Sequence, residues 1–297
     1  MQMTRLGPAG PSIGRIAYGC WRLDGGDTKA TQRNLEVALE AGLTLIDTAD
    51  IYGFGTEAGF GGAEAVLGQV LRDAPQLRDA MVLATKGGII PPRPYDSSYD
   101  YLIAALDASL QRLGVDHVDL YQIHRPDLTA PMAETARALN EMVKLGKATR
   151  IGVSNFTPSQ TRALQAHLDT PLASTQPEFS ALEQSPITDG VLDWCSETGA
   201  ACLAWSPLAG GALATGQGDH PHLGEVMAVI DRLAETHGAT RTQIALAFAL
   251  KHQANIIPIV GTQKPERIQE AAGAVVIDLS ARDFYDVVEA YRGEPMP

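Results

Sequence analysis

Brief apolar runs alternate along this chain with longer stretches in which apolar residues return every three or four positions. The runs are RIAYGC from Arg15, LTLIDT from Leu43, MVLATK from Met81, VDLYQIH from Val118, TRIGVS from Thr149, PLASTQ from Pro171, ACLAWS from Ala201 and NIIPIV from Asn255. Runs this short and this apolar fit strands covered on both faces. The intervening stretches read as amphipathic helices. In TQRNLEVALEAG, for instance, Leu35, Ala38 and Leu39 share a face and Gly42 stands at the C-terminal stop. YLIAALDASLQRLG, MAETARALNEMVKLG and TRTQIALAFALKHQ each have room for three or more turns. Eight strands interleaved with helices predict an α/β fold, a (β/α)8 TIM barrel. Turn signals at Gly7, Pro8 and Gly10 predict a short N-terminal hairpin, and SARDFYDVVEAYRG, opening at the capping residue Ser280, predicts an extra C-terminal helix outside the barrel. No linker or shift of composition divides residues 1–297, so one domain is expected.

A hydrophobic content of 45% supports a large core, and 23 basic against 35 acidic residues give a net charge of −12. No run of like charge marks a nucleic-acid-binding tail, which leaves a small molecule as the expected partner. No window reaches the ~18 apolar residues of a membrane span, and the opening MQMTRLGPAGPSIGR lacks the apolar centre of a signal peptide. A cytoplasmic protein with no membrane partner is expected. Cys20, Cys195 and Cys202 make an odd set without CxxC spacing and read as reduced thiols, Cys195 and Cys202 as small buried hydrophobes. Of the seven histidines only His124 closes a strand, and no metal site is expected, the HPH at 220–222 included.

Barrels of this kind carry their chemistry at the C-terminal ends of the strands. There the second run closes in IDTADIYG with Asp47, Asp50 and Tyr52, the third in ATKGG with Lys86, and the fourth in YQIHRPD with His124. A phenol with a reference pKa of about 10 is a poor acid at neutral pH, but a neighbouring ammonium lowers that value, and Lys86 is placed to do so. Asp47 can hold Lys86, while a neutral His124 can hydrogen-bond the oxygen on which charge develops. Asp50 reads as a cap of the following turn, and Arg22 as a partner of a rim carboxylate or a ligand for an acidic substrate. Gly53 to Ala58 spells G-x-G-x-x-A but opens no helix straight after a strand, so GFGTEAGFGG reads as a flexible loop and not as a dinucleotide fingerprint.

LIDTADIYG, LATKGG, LYQIHRPD and IGVSNF, in this order, resemble the aldo-keto reductase superfamily, and GCWRL, SNFTPSQ, AWSPLAGG and PIVGTQKPERI resemble its bacterial YdhF-like oxidoreductases. The resemblance implies NADPH-dependent reduction of an aldehyde or ketone, with Asp47, Tyr52, Lys86 and His124 as a catalytic tetrad and Tyr52 as general acid. It implies cofactor contacts from Ser154, Asn155 and Gln176 to the nicotinamide carboxamide and from the ring of Trp205 to the nicotinamide face. Gly19, Cys20 and Trp21 fall at the close of the first strand, and Ser206, Leu208 and Gly210 in a loop over the pyrophosphate. Gly261, Thr262, Lys264 and Arg267 match the 2′-phosphate site. Glu270 matches an adenine contact, although Ala271 replaces the asparagine common beside it. Trp21, Tyr52, Phe54 and His124 are expected to meet substrate, with a contribution from the stretch Ile89 to Tyr101, and three aromatic rings in one wall favour aromatic aldehydes over sugar aldehydes. The competing reading is a non-catalytic, NADPH-binding regulatory subunit of the same fold, which turnover of any aldehyde would separate from an enzyme.

Overall fold

The computed structural model describes residues 2–23 and 26–297. The chain opens in an antiparallel hairpin, β1 (Met3–Arg5) and β2 (Ser12–Gly14). Every one of the eight apolar runs then contributes a strand: β3 (Ala17–Gly19), β4 (Leu45–Asp47), β5 (Val82–Gly87), β8 (Leu120–Ile123), β9 (Ile151–Ser154), β10 (Ser174–Gln176), β11 (Ala201–Ala204) and β12 (Ile256–Val260). They close a parallel barrel in chain order, β12 pairing with β3 through Ile259↔Ala17 and Val260↔Tyr18. A second hairpin, β6 (Ile89–Ile90) with β7 (Arg93–Tyr95), sits on the end of β5. It lies in the stretch expected only to shape the substrate site, and its strands of two and three residues are too short to show a period.

Around the barrel run α1 (Thr28–Glu40), α2 (Gly62–Asp73), the single turn α3 (Gln76–Asp79), α4 (Tyr99–Leu113), α5 (Met132–Lys144), α6 (Pro158–Gln165) and α7 (Val191–Thr198). Between β11 and β12 the chain inserts α8 (Ala212–Thr215) and α9 (Leu223–His237) before α10 (Arg241–Lys251), where a single helix would complete the βα unit. α10 is buried without a break from Ile244 to Leu250, because α9 and α12 (Ala281–Arg292) cover its outer face. α11 (Pro265–Ala272) follows β12. Capping boxes set the starts of α6, α10 and α12 through Thr157 with Gln160, Thr240 with Gln243, and Ser280 with Asp283.

Alternation along each strand sorts side chains between the inside of the barrel and the layer beneath the helices. Tyr18, Ile46, Leu83, Tyr121, Val153 and Cys202 point outward into the helix-facing core. Ala17, Leu45, Ala84, Leu120, Leu203 and Ile257 point inward, and Leu6 and Ile13 of the hairpin complete that cluster at the barrel floor. One step further along the strands the inward residues become polar: Asp47, Lys86, Gln122, Ser154, Ser174 and Gln176 are all buried there. The barrel is thus an apolar plug below a polar layer, with the strand ends above it. No helix among the described residues is long and apolar enough to cross a membrane.

Leu6 is fully buried in that plug. Leu6→Ala should cost ~2–5 kcal/mol, the range for a cavity left by a core leucine. Urea unfolding measures it, and a loss below ~1 kcal/mol would mean that the hairpin does not seal the barrel.

Candidate active site

The polar layer is organised by a buried ion pair. Lys86, on β5, donates from Nζ to Asp47 Oδ2 at 2.6 Å and to the Thr48 carbonyl at 2.8 Å, and its side chain has no exposure at all. The other Asp47 oxygen, Oδ1, accepts from Gln176 Nε2 at 3.0 Å and Gln122 Nε2 at 3.4 Å, and Ser174 Oγ orients Gln122 by donating to its Oε1 at 3.1 Å. Four barrel strands therefore fix one carboxylate. Gln122 carries no reactive group and escaped the sequence reading. Its signal was a polar residue at an inward position of an otherwise apolar strand.

Above this layer the Lys86 ammonium lies 4.8 Å from the centroid of the Tyr52 ring. Tyr52 is wedged edge-on between Trp21, at 5.1 Å between ring centroids, and His124, at 5.8 Å. The four residues of the expected tetrad thus lie side by side, but the acidity of Tyr52 runs against expectation. Burial raises its pKa, and the Lys86 charge, which acts in the lowering direction, only partly offsets that. Burial also opposes the charge on Lys86, yet Asp47 and Tyr52 hold its pKa above the usual lysine value. His124 goes the other way: burial first, then Lys86 and Arg125, push it well below the usual imidazole range, so it is neutral at pH 7. Its buried Nδ1 has no hydrogen-bond partner among the described residues.

On the neighbouring strands Ser154 Oγ donates to the Gln176 carbonyl at 2.8 Å and accepts from Asn155 Nδ2 at 2.8 Å. Asn155 also donates to the His124 carbonyl at 3.2 Å and accepts from Trp205 Nε1 at 3.0 Å. These residues, expected to hold the nicotinamide carboxamide and, for Trp205, the nicotinamide face, are linked to one another and to the backbone of His124. Asn155 takes a left-handed backbone (φ 59°), as do Ser206 (φ 53°) and Ala209 (φ 48°). Ser206 Oγ accepts from the Gly210 N–H at 3.1 Å, which closes a turn around Leu208 after β11. Gly19 closes β3 where a Cβ would meet Ile259 at 2.7 Å, and a Cβ on Gly261 would come to 3.6 Å of the Gly19 carbonyl. Cys20 is fully buried, and its thiol is pushed well up by burial and then by Asp47, so it remains protonated.

At the start of α11, Thr262 Oγ1 accepts from the Lys264 N–H at 3.3 Å, and Lys264 and Arg267 are exposed. Neither pairs with a carboxylate among the described residues, and neither does Arg22. Two free cations beside a helix N-terminus suit an anion. Glu270 contributes its carbonyl to Gln243 Nε2 at 3.1 Å, tying α11 to α10.

The family model for the aldo/keto reductase family matches residues 15–292. The chain belongs to the aldo/keto reductase family. Among relatives of this oxidoreductase, a 6-dehydroglucose reductase of Novosphingobium aromaticivorans is 47% identical over 295 residues, covering 99% of this chain and 96% of that protein. The oxidoreductase YdhF of Escherichia coli is 33% identical and covered in full by the whole of this chain. The crystal structure of the thermostable aldo-keto reductase Tm1743, determined with the inhibitor epalrestat, superposes with a TM-score of 0.84 at 28% identity, over 98% of this chain and 100% of that one.

At the rim of this aldo/keto reductase, Trp21 is 65% exposed and packs edge-on against Tyr52, while Phe54, 55% exposed, stacks on no ring among the described residues. Arg125, unremarked in the sequence beside His124, brings its guanidinium to 5.9 Å from the Trp205 ring. The glycine-rich stretch after Tyr52 is a succession of tight turns, with Phe54, Thr56, Gly59 and Gly62 each donating to the carbonyl three residues back. Its ends are tied together where the Ala63 N–H donates to the Tyr52 carbonyl at 3.2 Å.

Asp50 caps nothing. Its N–H donates to the Lys86 carbonyl at 3.0 Å, while its carboxyl turns outward beneath α2, with neither oxygen partnered. Close by, Glu64 of α2 pairs with Arg112 at 2.7 Å and accepts from Thr85 Oγ1 at 2.5 Å. Burial, and then the charge of Glu64, raise the Asp50 pKa to about 8. Unfolded, the group titrates near ~3.9. Between those values the folded chain binds the extra proton, so stability is complete at low pH and falls as pH rises towards 8. Asp50→Asn should therefore raise Tm at pH 8 and change it little at pH 4; thermal melts at both pH values test this, and an equal effect at both would rule out the buried-acid account.

Proposed function

We propose that this enzyme reduces an aldehyde to an alcohol with NADPH, Tyr52 giving its proton to the carbonyl oxygen. The observation that carries the reading is the sealed Lys86 ammonium, 2.6 Å from Asp47 and 4.8 Å from the Tyr52 ring centroid. NADPH, when bound, supplies the hydride that reduces the carbonyl carbon. The chain has to manage the charge that then gathers on oxygen. Tyr52 transfers its hydroxyl proton to that oxygen, and Lys86 stabilises the phenolate left behind. Asp47 keeps Lys86 charged and in place. Neutral His124 offers a ring N–H to the same oxygen, so the developing charge is met from two sides.

Ser154, Asn155, Gln176 and Trp205 would hold the nicotinamide end of the cofactor, where Gln176 Oε1 is available because its Nε2 is committed to Asp47. Thr262, Lys264 and Arg267 would hold the 2′-phosphate, and two cations with no carboxylate partner among the described residues favour NADPH over NADH. The substrate reading moves away from aromatic aldehydes. A relative named 6-dehydroglucose reductase at 47% identity favours an aldehyde on a hydroxylated, sugar-like molecule. The Arg125 guanidinium beside Trp205, a donor for hydroxyl groups, supports that choice.

Tyr52→Phe should lower carbonyl reduction by roughly 10² to 10⁴-fold with NADPH binding intact, the range for loss of a positioned acid. Stopped-flow NADPH oxidation with a fluorescence titration reads both quantities, and wild-type turnover in the variant would remove Tyr52 from the chemistry. In the same assay 6-dehydroglucose should show a higher kcat/KM than benzaldehyde; the reverse order would restore the aromatic reading. Because His124 is already neutral at pH 7 while Lys86 and Tyr52 titrate above their usual values, kcat should stay level from about pH 7 to 9 and fall only at higher pH. A fall centred near pH 6.5, the ordinary imidazole value, would show that His124 works as a cation.

A further inference from the structure

The segment between β12 and α11 has a fastening of its own. Gln263, between Thr262 and Lys264, is half-buried, and its side chain turns inward, away from the face those two residues present. Its Nε2 donates to the hydroxyl of Tyr18 at 3.2 Å. Its carbonyl accepts from Asn34 Nδ2 at 3.1 Å, and its Oε1 lies 3.5 Å from the same nitrogen. Tyr18 is fully buried on β3, and Asn34 is 4% exposed on α1, in a stripe otherwise formed by Thr31, Leu35 and Ala38. An amide at such a position costs stability unless it is bonded. Among the described residues both hydrogen bonds from its Nδ2 go to Gln263, so the polar residue in this stripe holds the segment.

We propose that Asn34 and Tyr18, acting through Gln263, are positioning residues for the 2′-phosphate of the cofactor. The inference rests on the reading that Thr262, Lys264 and Arg267 take that phosphate. Those groups come from an exposed turn and the first turn of a helix, and an anion is gripped well only where its donors are already in place. The Asn34–Gln263–Tyr18 bonds tie the turn to two rigid elements, β3 and α1, so its N–H groups and the Lys264 stem are aimed before the cofactor arrives. Neither Asn34 nor Tyr18 needs to touch cofactor or substrate.

The test compares NADPH with NADH in the full chain. Asn34→Asp keeps the shape but sets an acceptor against the Gln263 carbonyl, Asn34→Ala removes the donor, and Tyr18→Phe removes only the hydroxyl. Each change should raise Kd and KM for NADPH about three- to tenfold, the worth of one or two lost hydrogen bonds. The kcat at saturating NADPH should stay at the wild-type level, and Kd for NADH should hold, because NADH brings no phosphate to the turn. Equal losses for both cofactors, a fall in kcat alone, or unchanged constants in all three variants would overturn the proposal. If the wild-type chain binds NADPH no tighter than NADH, the phosphate reading itself falls and takes the inference with it. A melting temperature for each variant separates a loosened turn, which leaves Tm near wild type, from a damaged fold, which lowers Tm together with kcat.

Discussion

A single ammonium group, sealed inside the barrel, sets the terms for everything around it. Burying Lys86 carries a desolvation cost of several kcal/mol, and one carboxylate offsets it only if that carboxylate is itself held by hydrogen bonds. Asp47 is held by the amides of Gln122 and Gln176, and Gln122 in turn by Ser174. The polar layer is therefore the minimum set of groups that lets a charge exist in the interior of an apolar barrel. Tyr52 lies against that charge, its ring centroid 4.8 Å from the ammonium.

The same strands carry both the plug and the polar layer, because period-two alternation delivers a residue to the interior at every second position. On β4 the inward residues are Leu45 and then Asp47; on β8 they are Leu120 and then Gln122. The floor supplies hydrophobic stabilisation, and the next step up spends part of it on buried polarity. A barrel lacking Leu6 and Ile13 of the hairpin would admit water from below and weaken the low-dielectric setting on which the Lys86–Asp47 attraction depends.

Much of this was legible in the sequence. Eight apolar runs, each closed by polar residues, are a one-dimensional record of strands with buried middles and reactive ends, and all eight recur as barrel strands. Asp47, Tyr52, Lys86 and His124 could be picked out because each stands at such an end. What escaped depends on three dimensions. Lys86 could be seen as a neighbour that lowers the Tyr52 pKa, but not that burial would outweigh it. Asp50 looked like a cap because its place in a turn is local information, whereas its outward, unpartnered carboxyl depends on how α2 lies over β5. Gln122 and Arg125 have no distinguishing spacing. The hairpin β6–β7 and the insertion of α8 and α9 lie in connections, where length varies without disturbing the strand rhythm.

The bond from the Ala63 N–H to the Tyr52 carbonyl closes the glycine-rich turns into a loop whose two ends meet. A loop shut at its neck is mechanically separate from what lies below it: residues can be added or exchanged at its tip, with an entropic cost that grows only slowly with length, while Tyr52 stays where it is. Phe54 and its neighbours thus belong to a part that can be replaced as a cassette. Length and sequence can therefore drift on the far side of one hydrogen bond while the ring of Tyr52 keeps its distance from Lys86.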